Sequence, residues 1–137
     1  MGSRFNIRVY GLWIREGRVL VNEEDIRGKL ITKFPGGGLE LGEGIADCLQ
    51  REWMEELGLP ITVGDLLYIN DFYQKSAYDD SQIISVYYLV SADPHIAWRN
   101  LNPNERTYWM PLAGIDPAVF TLPIDRVVAL RLRAGAE

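Results

Sequence analysis

The sequence predicts an α/β (α+β) domain whose strands pair in a mixed sheet, and three observations carry that expectation. β-Branched and aromatic residues crowd into five stretches, Phe5 to Ile14, Arg18 to Val21, Leu30 to Phe34, Leu66 to Gln74 and Gln82 to Val90. Between them, Gly44 to Leu57 carries apolar residues at helical spacing and is closed by Gly58 and Pro60. After Pro123 the spacing of Ile124, Val127, Val128 and Leu130 predicts a terminal helix. Strands, helix, strands, helix is the order of a layered domain with helices against a sheet.

Each element has a local reason. Glu16-Gly17 is a turn signal that makes the first two stretches a hairpin. The polar run Asn22 to Lys29 predicts a loop. Pro35-Gly36-Gly37-Gly38 stops regular structure, because proline cannot donate to a ladder and successive glycines admit backbone angles that other residues avoid. Gly58 suits a left-handed helix cap, and Pro60 forbids continuation. Ser76 to Ser81 joins the two long strands, and Tyr108 to Met110 reads as one more short strand. With no repeat, low-complexity segment or long linker, residues 1–137 are expected to form a single domain.

Composition excludes several classes. The chain is 47% hydrophobic and 24% charged, which is globular rather than disordered. A pI of 4.9 without a basic run argues against nucleic acid or an anionic membrane surface as partner. No apolar run approaches bilayer length, and the amino terminus lacks an apolar signal core. Cys48 is the only cysteine, which excludes an internal disulfide. These features together predict a cytoplasmic protein.

The net charge of −5 is local. Six of the 19 acids but only one of the 14 bases fall between Gly37 and Leu59, so the remaining 13 and 13 cancel. Projected at about 100° per residue from Ile45, the apolar stripe contains Ile45, Leu49, Trp53, Ala46 and Leu57. Glu52, Glu55 and Glu56 share an arc that overlaps the edge of this stripe. A solvated acidic face would lie opposite it. Glu52 and Glu56 also repel at i,i+4 near the negative end of the helix dipole. Three carboxylates on one rigid surface, with no His or Cys beside them, form a hard oxygen site suited to Mg²⁺ or Mn²⁺.

These residues spell a family pattern. Gly37, five residues, Glu43, seven residues, then Arg51-Glu52-Trp53-Met54-Glu55-Glu56-Leu57-Gly58-Leu59 resembles the Nudix box at all nine specified positions. By residue frequencies a chance match is on the order of 10⁻⁸. Trp53 stands where the family more often has an aliphatic residue. Phe34-Pro35-Gly36-Gly37-Gly38 is similar to the loop that leads into the box, and Trp109-Met110-Pro111-Leu112 to a later strand and loop.

The resemblance implies an α/β/α sandwich around a mixed sheet and a metal-dependent pyrophosphohydrolase. Its substrate class would be a nucleoside diphosphate linked to another moiety, such as a nucleoside triphosphate or a nucleotide sugar. Glu52, Glu55 and Glu56 would correspond to metal ligands, with the Gly36 carbonyl as a backbone ligand. Glu43 and Arg51 would be a buried pair fixing loop to helix. The general base would be Glu52 or a loop acid after the sheet, with Glu105 first, then Asp80 and Asp79. The alternative is a Nudix domain that senses nucleotides and hydrolyses them weakly. The intact box carboxylates disfavour it.

Other residues have more ordinary readings. His95 reads as a surface bystander and Cys48 as a packed small hydrophobe. The plentiful aromatic residues are expected as core or homodimer contacts, with Phe34 or Tyr78 as candidates to stack on a base. Arg27, Lys29 and Lys33 read as loop charges within reach of phosphates. Lys75 stands where ADP-ribose hydrolases of the family often carry proline, which leaves the substrate open.

Overall fold

The computed structural model describes residues 4–136. In chain order it contains β1 (Phe5–Arg15), β2 (Arg18–Ile26), β3 (Lys29–Lys33), β4 (Gly36–Gly38), α1 (Ile45–Leu57), β5 (Thr62–Ile69), β6 (Gln82–Ser91), β7 (Glu105–Pro111) and α2 (Pro123–Ala136). The sheet runs β3-β2-β1-β6-β5, with β4 added to β1 and β7 to β2. β1 and β6 are parallel from Phe5↔Gln82 to Trp13↔Val90, while the other pairs are antiparallel. The mixed sheet is as expected.

Strand periodicity divides the core in two. Along β1, Val9 and Trp13 point to the cluster that α1 completes with Leu49, Trp53 and Leu57. Tyr10 and Leu12 point the other way, to the cluster that α2 completes with Ile124, Val128 and Leu132. Both faces of the central strand are therefore covered, which makes the α/β/α sandwich.

Gly11 shares the α1 face of β1. A Cβ there would lie 2.8 Å from Trp53 Nε1. The indole is fully buried and donates to the Pro35 carbonyl at 3.2 Å, so it cannot easily retreat. Trp53 thus takes the space that a smaller aliphatic residue would leave to a side chain at position 11. Gly11→Ala is expected to destabilise the protein by about 1–3 kcal/mol through overpacking, read as a lower midpoint in urea.

Several boundaries differ from expectation. Asn22 to Ile26 is not a loop but the second half of β2, hydrogen-bonded to β3 on one side and, through Glu24, to β7 on the other. Its polar side chains misled the reading, because the ladder is satisfied by backbone groups. The turn is confined to Arg27 and Gly28, both at positive φ. The fifth strand begins at Thr62 and ends at Ile69 rather than running from Leu66 to Gln74. β7 is longer than Tyr108 to Met110 and starts at Glu105, so that acid is on a strand, not a loop. On α1, Ala46 is exposed rather than part of the buried stripe, while Cys48, Leu49, Trp53 and Leu57 are buried, Cys48 as expected.

Candidate active site

The glycine loop is laid directly across α1. Gly36 pairs with Tyr10, and a Cβ on it would fall 2.1 Å from the Val9 carbonyl oxygen. Gly37 pairs with Val9, and a Cβ on it would fall 2.4 Å from the carboxyl carbon of Glu52. Glycine is required at both positions for close approach, at Gly36 to backbone and at Gly37 to a carboxylate. Gly58, at φ 63°, caps the far end of the helix through its N–H to the Met54 carbonyl.

Arg51 ties loop to helix. Its Nε and Nη2 donate to the two oxygens of Glu43 at 3.0 and 2.7 Å, a bidentate pair that holds the Glu43 carboxyl down at about 2. Nη2 also donates to the Gly38 carbonyl at 3.1 Å, and Nη1 to Glu52 at 3.0 Å and Glu55 at 3.3 Å. Asp47 caps the amino end of the helix, its Oδ2 accepting from the Gly44 N–H at 3.1 Å.

Glu56 is different. Its Oε2 is buried without a hydrogen-bond partner, as is Oε2 of Glu105 across the cluster. Desolvation pushes Glu56 up to about 8; Lys33 opposes the shift, and Glu105, Glu52 and Glu24 reinforce it. Glu105 is raised for the same leading reason. Lys33 is buried at the end of β3, its Nζ 3.0 Å from Glu24. Arg8, on β1, donates to the Tyr10 hydroxyl at 3.2 Å and feels both Glu52 and Glu56. Carboxylates from α1, β2 and β7 thus converge around two cations, Lys33 buried and Arg8 half-buried. Among the described residues no three His, Cys, Asp or Glu side chains are gathered tightly enough to hold an ion as they stand.

The other sequence candidates separate. Phe34 is fully buried, stacked on Phe120 at 4.6 Å and edge-on to Tyr87, so it has no ring face for a base; this corrects the stacking expectation. Tyr78 is exposed and lines a cavity of about 380 Å³ together with Arg8, Glu24, Lys29 and Lys33. Asp79 accepts from Arg4 and from Ser81 in the turn before β6, and the neighbouring Asp80 is exposed. His95 is exposed. Cys48 is buried, its thiol 3.5 Å from the Gly38 carbonyl and pushed up to about 12 by burial, so it is inert. Arg8 and Glu24 belong to no motif and were missed by motif reading, and Lys33 is buried rather than a loop charge.

Comparison with known proteins agrees with this architecture. Residues 4–130 match the family model for the NUDIX domain. The chain belongs to that family and is a hydrolase of the Nudix class. It is similar in fold to the MutT protein from Methanosarcina mazei Go1, with 21% identity, 100% of this chain and 99% of that one covered, and a TM-score of 0.75. A NUDIX hydrolase from Nitrosomonas europaea gives 25% identity, coverage of 98% and 92%, and a TM-score of 0.70. The bifunctional NMN adenylyltransferase/ADP ribose pyrophosphatase from Francisella tularensis, in complex with AMP and a Mn ion, gives 18%, coverage of 100% and 43%, and 0.72. Among the described residues no helix is long and apolar enough to cross a membrane.

Proposed function

We propose that the chain is a divalent-metal-dependent pyrophosphohydrolase that cleaves a nucleoside diphosphate linked to another moiety, by attack of water on phosphorus. The observation that carries this reading is the buried, unpartnered Oε2 of Glu56 beside Glu52 and Glu105. Such a group is stabilised only by a proton or a cation. The donor set is all oxygen, and the one thiol nearby is protonated and engaged, which fits Mg²⁺ or Mn²⁺. Glu52, Glu55 and Glu56 would hold the ion, with the Gly36 carbonyl.

When bound, the ion supplies positive charge for the diphosphate oxygens and acidity for a water. The chain's own groups do the rest. Arg51 fixes Glu43 against the loop and competes for Glu52 and Glu55, so it sets where those carboxylates rest. Glu105 would take the proton of the attacking water, a role supported by its one unpartnered oxygen and raised pKa, with Glu52 as the other candidate base. The new P–O bond would form as the anhydride P–O bond breaks, and Arg8 and Lys33, which line the adjoining cavity, would offset the charge of the departing anion.

A panel of nucleoside triphosphates, nucleotide sugars and dinucleotides, assayed for phosphate-containing products with Mg²⁺, with Mn²⁺ and with EDTA, tests this. The expected result is turnover of at least one diphosphate-linked substrate that EDTA abolishes. Tight binding without turnover would favour the sensing alternative.

A further inference from the structure

A set of polar side chains joins β2 and β7 to the carboxyl end of α1, and the hydrolytic chemistry leaves it unused. Asn22, on β2, is almost completely buried opposite Thr107, its ladder partner on β7. Its Nδ2 donates to Thr107 Oγ1 at 3.2 Å, and its Oδ1 has no partner among the described residues. Asn100 holds the same threonine at two points. Its Nδ2 donates to Oγ1 at 2.6 Å and its Oδ1 accepts from the Thr107 N–H at 2.9 Å. Both acceptor sites of the hydroxyl are thus filled. The residues on either side of Asn100 are bonded to the last turn of α1, Leu101 N–H to the Glu56 carbonyl at 2.9 Å and Arg99 N–H to that of Leu57 at 3.3 Å. One short segment therefore clamps the helix end that carries Glu56 to the strand that carries Glu105.

Glu105 is two residues before Thr107, on the same face of β7, and is the diagonal cross-strand neighbour of Asn22. Burial pushes the Glu105 carboxyl up, while Lys33 and a hydrogen bond from the Asn22 side chain pull it back toward the ionised form. Stability does not explain an asparagine here, because its buried, orphaned oxygen carries a cost that an apolar residue of similar size would avoid.

We propose that Asn22 and Asn100 are positioning residues: they hold Thr107 between them, and through it and the Asn22 amide they fix the Glu105 carboxylate relative to Glu52 and Glu56. The inference rests on the hydrolase reading with Glu105 as the base. In this role the two amides take no proton and bind no phosphate. Losing them displaces the base without weakening substrate binding, so the effect belongs in kcat and not in KM.

The test is a double-mutant cycle assayed with Mg²⁺ and the substrate turned over, joined to NMR of the side-chain amides in EDTA. Asn22→Ala and Thr107→Val are each expected to lower kcat about tenfold or more and to leave KM within about twofold, whereas Thr107→Ser keeps the hydroxyl and most of the activity. Valine suits a strand, so Thr107→Val covers the case in which Asn22→Ala fails to fold. In a Glu105→Gln background Asn22→Ala is expected to cost less than about a further twofold, because its effect passes through a group already removed. A merely structural role would cost the same in both backgrounds. In the metal-free protein the Asn22 side-chain amide resonances are expected to move on Glu105→Gln. Additive losses, an Asn22 amide that ignores Glu105→Gln, or wild-type turnover in Glu105→Gln overturns the proposal; the last leaves the hydrolase reading standing with Glu52 as base. A responding amide in a protein that hydrolyses no diphosphate supports the contact and refutes the hydrolase reading alone.

Discussion

Glu56→Gln is expected to abolish metal-dependent turnover while making the metal-free protein more stable. The two effects have one cause. The folded state holds Glu56 at about 8, well above the ordinary carboxylate value of 4.5, because burial and three neighbouring acids oppose its charge more than Lys33 favours it. An acid raised by folding contributes its full stability below the unfolded value, and that contribution is lost as pH rises through the folded value. Between pH 4.5 and about 8 the metal-free protein therefore loses stability on account of this group. Glutamine has the same shape without the charge, so at about pH 8.5 in EDTA the variant should melt several degrees higher, on the order of 1–3 kcal/mol. At about pH 4 the two proteins should melt together. Turnover with Mg²⁺ should fall by about 10³-fold or more, as when charge stabilisation of the transition state is removed. Unchanged turnover would sink the metal assignment, and a lower melting point at alkaline pH would sink the electrostatic account.

That combination explains which parts of the site could be read from the sequence. Three glutamates and an arginine within one helix turn and a half fix their own relative positions, because helical geometry is local. The crowding of Glu52 and Glu56 at the edge of the apolar stripe already required something positive. The cations that answer it in the fold arrive from elsewhere. Arg8 is on β1 and Lys33 at the end of β3, and only the register Tyr10↔Gly36 and Asn22↔Lys33 brings them alongside α1. Phe34 was misread for the opposite reason: its neighbours suggest a loop at the site, but the chain turns it into the α2 core. The burial of Asp125 is legible in the sequence. It stands at i−3 and i−7 from Val128 and Leu132, on the buried stripe of α2, as the box glutamates overlap that of α1.

The first glycine of the box gives the sharpest separation of site from fold. Gly37→Ala is expected to leave the protein folded and reduce turnover about 10²-fold. Its φ is not in the left-handed region, so alanine meets no backbone penalty there. The added methyl would sit 2.4–2.5 Å from the carboxyl carbon and both oxygens of Glu52, the tip of a flexible side chain. That tip can move where backbone cannot, so the clash is relieved by displacing the carboxylate rather than the strand. Gly36→Ala, which would strike the Val9 carbonyl and the Tyr10 Cα, should instead damage folding. Displacing a catalytic group by about 1 Å costs on the order of 10²-fold in rate. Arg51 Nη1, 3.0 Å from Glu52, would also lose its partner, and a weaker hold on the loop should raise the Mg²⁺ concentration needed for half-maximal activity. Circular dichroism and urea unfolding of the two alanine variants, beside a Mg²⁺ titration of activity, would decide it. If Gly37→Ala retained full activity, Glu52 would not act from the position that the loop gives it.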